Sequence, residues 1–211
     1  MIQKPMFSPQ VEWTPPEEFK DLSKYDEIAI DLETKDPELK TMGSGSVTGT
    51  GKIVGIAVAV HDWAGYYPIK HEGGGNMDFR MVLNWITDVL KTPATKIFHN
   101  AMYDVCWIRS VTGLMPKGNL YDTMIAASVI DENRKSYSLD SLSADYLNDK
   151  KYKYDLKDRA LEEHGIADPM SNMDKLPYDL VRDYAEQDVS LTLRLWKEFK
   201  NKINEPIKVA G

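Results

Sequence analysis

The chain has 211 residues, 42% of them hydrophobic and 28% charged, which suits a medium-sized globular domain with a real core. Its single cysteine, Cys106, excludes an internal disulfide and a Cys-rich zinc site, and its four histidines are scattered and form no HExxH pattern. A formal charge of −7 argues against broad electrostatic attraction to nucleic acid but leaves room for a local site that holds cations.

The N-terminal stretch, residues 1–23, contains Pro5, Pro9, Pro15 and Pro16 and reads as an extended arm. A domain is expected over residues 24–204, followed by a short tail over 205–211. The N-terminus lacks the basic-then-apolar order of a secretory signal, and the apolar run Ile53–Val60 is far too short to span a membrane. The expected location is therefore cytoplasmic.

Glu27 to Glu33 alternates as a strand, with Ile28, Ile30 and Leu32 on one face and Ala29, Asp31 and Glu33 on the other. GSGSVTGTG (Gly43 to Gly51) reads as a flexible loop. It does not meet the P-loop pattern: Ser46 and Ile53 stand where Gly and Ser/Thr are required, and a strand follows instead of a helix. IVGIAVAV (Ile53 to Val60) reads as a buried strand, with AGYYPI (Ala64 to Ile69) as its hairpin partner. HEGGGN (His71 to Asn76) reads as a turn. Helical periodicity runs from Asp78 to Lys91 and stops at Pro93. A short strand, KIFHN (Lys96 to Asn100), precedes a helix from Met102 to about Val111. Leu120 to Asp122 suggests another strand, with helix from Thr123 and a further helix around Leu139 to Leu147. Pro177 to Phe199 reads as a long terminal helix. The order predicts an α/β fold: an antiparallel meander extended by parallel strands, in one mixed sheet within a single domain.

Three placements of acids break the apolar pattern. Asp31 and Glu33 lie on one strand face, about 6.6–6.8 Å apart. Two such carboxylates repel each other, and divalent cations between them reverse the sign. Alone, the pair also reads as an exposed strand end. Leu180, Tyr184, Asp188, Leu191 and Leu195 make one helical stripe with a carboxylate where an apolar side chain is expected. Asp104 falls in the first turn of its helix, where the dipole favours it.

In that order, DLET, NAMYD and YAEQD resemble the three exonuclease motifs of the DEDD superfamily. Asn100, Tyr103 and Asp104 keep the Asn-x-x-Tyr-Asp spacing, and Tyr184 and Asp188 keep Tyr-x-x-x-Asp. Tyrosine in the last motif places the resemblance in the DEDDy branch. It is closest to the 3′–5′ proofreading domain of bacteriophage-type family A DNA polymerases, over residues 15 to 200. The resemblance implies an RNase H-like five-stranded sheet with helices on both sides. It also implies two divalent cations, Mg²⁺ or Mn²⁺. Asp31, Glu33 and Asp188 would hold the ion that activates water. Asp31 would bridge to a second ion supported by Asp104, and Tyr184 would orient the water.

The substrate implied is a single-stranded DNA 3′ end. Glu33 and the Leu32 backbone would meet the terminal 3′-OH, Asn100 and Tyr103 would help to hold the terminal nucleotide, and Leu39 would wedge between bases. A polymerase domain is the implied neighbour in the native protein, and a phage-infected bacterial cell the implied setting. Two other readings stay open: an RNase D-like RNA exonuclease, and a non-catalytic 3′-end-binding or scaffold domain. KKYKYDLKDR (Lys150 to Arg159) reads as a solvated face or a strand-tracking patch. Cys106 is expected in the core, Asp122 at a helix cap and Glu186 on the surface.

Overall fold

The computed structural model describes residues 16, 18–149 and 156–203. Most of the predicted arm, the tail and the basic-aromatic stretch up to Asp155 lie outside the described residues. Five strands form one sheet: β1 (Glu27–Lys35), β2 (Lys52–Val60), β3 (Trp63–Pro68), β4 (Thr95–Phe98) and β5 (Leu120–Asp122). Their order is β3-β2-β1-β4-β5. β1, β2 and β3 pair antiparallel, while β4 joins β1 and β5 joins β4 in parallel. The short connections make the meander, and the helical connections make the parallel additions.

The helices are α1 (Gly45–Thr48), α2 (Phe79–Lys91), α3 (Ala101–Thr112), α4 (Thr123–Ile130), α5 (Leu139–Leu147), α6 (Leu156–His164) and α7 (Tyr178–Ile203), with a 3₁₀ turn over Met170–Lys175. The alternation in β1 sorts the two faces. Ile28, Ile30 and Leu32 pack with Val82, Ile86 and Leu90 of α2 and with Val105 and Ile108 of α3. Ala29 points the other way and packs, together with Ala57 and Ala59 of β2, against Val181, Ala185 and Val189 of α7. The small side chains on that face let α7 approach the sheet closely. β2 is buried along almost its whole length, which explains its unbroken apolar run.

Two expectations need correction. Gly43 to Gly51 is not a featureless linker: it contains α1, whose Gly45 N–H donates to both carboxylate oxygens of Asp36, at 3.1 and 3.0 Å. A Cβ on Gly45 would lie 1.7 Å from the Thr50 carbonyl oxygen, so this glycine serves close packing. The stripe read along α7 is not one seam either. Leu180 packs on the sheet beside Val181, Ala185, Val189 and Leu193, but Leu195 joins Phe199 against Ala126, Ala127 and Leu142 of α4 and α5. A helix of 26 residues buried on two sides cannot be described by one stripe.

Residues 18–23 have no helix or strand, yet they are packed down. Phe19 stacks on Tyr67 and Trp85 at 5.5 and 5.4 Å, and Leu22 is in the core.

Candidate active site

The site lies between the second half of β1, the start of α3 and the middle of α7. Asp31 pairs with Ala57 across the β1–β2 ladder, and Glu33 pairs with Gly55. Gly55 has no side chain to put beside Glu33, and Tyr66 takes that space. A Cβ on Gly55 would meet the Tyr66 hydroxyl at 2.1 Å. Tyr66 is fully buried, and its pKa is raised well above the ordinary phenol value by burial first, then by the charges of Glu33 and Asp31.

The Tyr66 hydroxyl is 2.8 Å from His71 Nε2, and His71 Nδ1 is 3.0 Å from the Leu176 carbonyl oxygen. A carbonyl only accepts, so Nδ1 carries the proton. Burial pushes His71 down to about 4, so the ring is neutral at pH 7 and Nε2 accepts from Tyr66. HEGGGN thus closes a turn, as expected, and also fixes the hydroxyl that faces Glu33. Sequence reading missed both Tyr66 and His71; the signal available was a glycine inside a strand, which marks a close approach.

The sign of the His71 shift gives a testable slope. Its folded value lies below the unfolded value near 6.5, so neutral His71 stabilises the fold above about pH 6.5. That contribution, about 3 kcal/mol at most, is lost as pH falls towards 4. Urea titrations between pH 7 and 4 are expected to show a smaller loss of stability for His71→Gln than for the wild type.

The start of α3 is organised from outside the helix. Asn100 adopts a left-handed conformation (φ 65°, ψ 54°) and its side chain makes no cap. The cap is Asp122, at the end of β5. Its carboxylate accepts from Asn100 N at 3.0 Å and Ala101 N at 2.8 Å, and also from Met124 N at 2.8 Å in α4. The capping role expected of Asp122 therefore extends to two helices. Asp104, one turn into α3, is buried, and its Oδ1 accepts from the Leu32 N–H at 3.1 Å. Burial raises the Asp104 pKa well above the carboxylate range, and the nearby charge of Asp31 raises it further.

From α7, Tyr184 lies one turn before Asp188, on the same helix face. Its pKa is raised well above the usual value by burial first, then by Asp188, Glu33 and Asp31. Asp188 is buried, as is Glu33. The five predicted residues Asp31, Glu33, Asp104, Tyr184 and Asp188 therefore share one electrostatic neighbourhood, although they come from segments more than 150 residues apart in sequence.

The other predicted contacts are placed differently. The Leu32 N–H is engaged by Asp104. Tyr103 donates its hydroxyl proton to Asp36 Oδ2 at 3.0 Å, and Thr34 Oγ1 lies 2.7 Å from the Tyr103 hydroxyl oxygen. Burial is the main cause that pushes Tyr103 up to about 12. Tyr103 thus braces α3 against the end of β1. Leu39 is exposed in the turn after β1. Glu186 is not a free surface acid: it is half-buried and accepts from the Tyr66 N–H at 3.1 Å. Cys106 is half-buried, with Sγ 3.9 Å from Met102 Sδ, and stands outside the core clusters.

The donor set is all oxygen, and several of its carboxylates are buried near each other. Such a set suits hard divalent cations, Mg²⁺ or Mn²⁺. Among the described residues no three His, Cys, Asp or Glu side chains stand as a ready-made metal cage.

A single mixed five-stranded sheet with helices packed on it is a fold of the RNase H-like class. The chain belongs to the 3′–5′ exonuclease family of family A DNA polymerases, whose family model, described as 3′–5′ exonuclease, matches residues 12–204. It is 31% identical over 218 residues to the DNA-directed DNA polymerase of Pseudomonas phage M6, covering 97% of this chain and 32% of that one. It is 28% identical over 185 residues to DNA polymerase I of Borreliella burgdorferi, covering 87% of this chain and 18% of that one. The chain thus spans about a third or less of these curated relatives. Among solved structures, Brucella melitensis NrnC bound to pGG superposes with a TM-score of 0.61 at 19% identity, covering 87% of this chain and 76% of that one. At that identity the likeness speaks for the fold. Among the described residues no helix is long and apolar enough to cross a membrane.

Proposed function

We propose that this chain is the proofreading unit of a phage-type family A DNA polymerase, and that it removes nucleotides from single-stranded DNA 3′ ends as 5′-monophosphates. The observation that carries the reading is the convergence of Asp31, Glu33, Asp104, Tyr184 and Asp188 in one buried neighbourhood. Its relatives named as DNA polymerases support a polymerase domain in the full-length protein and a bacterial cytoplasm as its setting.

Asp31, Glu33 and Asp188 would hold one Mg²⁺ or Mn²⁺ ion, and Asp31 with Asp104 a second. Bound there, the pair of cations supplies a water nucleophile at neutral pH and stabilises the leaving 3′ oxygen. Tyr184 keeps its proton at neutral pH, because its pKa lies above the usual phenol value. It therefore orients the attacking water and does not deprotonate it. Tyr66 and His71 hold the wall behind Glu33, while Asp104 and Tyr103 fix α3 to β1. Glu33 and the Leu32 backbone would meet the terminal 3′-OH, and Leu39 and Asn100 would contact the last nucleotides.

Matched DNA and RNA oligonucleotides, each labelled at the 5′ end, test the substrate. The expected result is faster shortening of DNA with Mg²⁺ or Mn²⁺ and none with EDTA. Faster shortening of RNA would replace the proofreading reading with an RNA-trimming one.

A further inference from the structure

Beyond Glu33, the alternation of β1 puts Lys35 on the same face as Asp31 and Glu33. Its register partner on β2 is Lys52. Two lysines directly opposite each other on one face repel. Here both ammonium groups converge on one oxygen of a third residue: Asp174 Oδ2 lies 3.0 Å from Lys35 Nζ and 2.7 Å from Lys52 Nζ. The Asp174 side chain is fully buried, whereas the lysine side chains are 27% and 31% exposed. Asp174 belongs to the 3₁₀ turn just before α7, the helix that carries Tyr184 and Asp188.

Two ammonium groups on one carboxylate leave a unit of positive charge uncompensated. Glu72 offsets little of it, since its carboxylate is 4.0 Å from Lys35 Nζ and 54% exposed. A chain of net charge −7 with a row of acids at its site repels a polyanionic strand. A fixed cationic pair at the end of that same row answers the repulsion locally. Both lysines keep N–H donors beyond the one each gives to Asp174.

We propose that Lys35 and Lys52, held together by buried Asp174, form a contact for the backbone phosphates of the single strand bound across the acid site. The proposal rests on the exonuclease reading and adds the groups that position its substrate. The two lysines act on binding, and the carboxylates and Tyr184 on the chemistry. Asp174 holds the pair in register and makes no contact with the strand.

Fluorescence anisotropy with a short fluorescein-labelled oligothymidylate tests this in Ca²⁺, over a series of salt concentrations. Lys35→Met and Lys52→Met keep the aliphatic length, and each leaves Asp174 one lysine, so the fold is retained. Each is expected to weaken binding about 10-fold. Each should also flatten the slope of log affinity against log salt by about 0.7, the value for one phosphate contact on a single strand. Lys35→Arg should restore both. In cleavage assays KM should rise while kcat holds. An unchanged salt slope in both Met variants, with or without a lower melting temperature, would reduce the triad to a brace and overturn the proposal. A wild type that binds the oligothymidylate with this slope but never cleaves it would sink the exonuclease reading and leave the phosphate contact standing.

Discussion

Asp188→Ala is expected to lower 3′–5′ cleavage by at least about 10³-fold, the scale of loss when a pre-organised electrostatic group at a reacting centre is removed. The reason is its position. Asp188 is buried in α7 one turn after Tyr184, a side chain that also feels the charges of Glu33 and Asp31. On the proposed function, removing Asp188 would take away an oxygen donor for one of the two cations and the charge beside Tyr184. The fold should survive, because Val181, Ala185, Val189 and Leu193 anchor α7 without it. Single-turnover rates in Mg²⁺, paired with circular dichroism, check the prediction. An Asp188→Ala protein that cleaves at the wild-type rate would remove Asp188 from the machinery.

Asp104→Asn should separate stability from activity in opposite directions. Asp104 is buried beside Asp31, and both facts raise its pKa well above the ordinary carboxylate range. A group with a raised folded pKa contributes stability that is full below its unfolded value, near 3.9, and is lost as pH rises through the folded value. At neutral pH the carboxyl therefore burdens the metal-free fold. Asparagine keeps the oxygen that accepts from the Leu32 N–H and removes the titratable charge next to Asp31. The variant should be more stable in EDTA by about 0.5–2 kcal/mol at neutral pH, as is common where function holds strain. The gain should vanish near pH 4. On the proposed function, cleavage should fall by about 10²-fold or more, because Asp104 would support the second cation. Urea denaturation at the two pH values and a cleavage assay measure both effects.

The parts of the site legible in the sequence are those where an acid breaks a periodic apolar pattern. Asp31 and Glu33 interrupt an alternating strand, and Asp188 interrupts a helix face. Such breaks are local, and so are the periodicities that revealed the succession of strands along the chain and most of the helices. The parts not legible depend on contacts between distant segments. Tyr66 looks like any strand tyrosine until Gly55 opens a place for its ring beside Glu33. His71 sits in a glycine-rich turn, and only the distant Leu176 carbonyl defines its tautomer. Asp122 caps its own helix legibly but reaches α3 only because β5 lies beside β4.

The Gly43–Gly51 stretch was open to misreading for another reason. Glycine signals both freedom and close approach, and only the Asp36 carboxylate over Gly45 decides between them. Glu186 reads as a surface acid because its partner is a backbone N–H on an edge strand, which leaves no mark in the sequence.

The measurement closest to the central claim is the course of digestion of a 5′-labelled single-stranded DNA by the wild-type chain with Mg²⁺. The account predicts a ladder that shortens one nucleotide at a time from the 3′ end, releases 5′-mononucleotides and stops on addition of EDTA. An intact oligonucleotide after prolonged incubation with Mg²⁺ and Mn²⁺, or a ladder unaffected by EDTA, would contradict it.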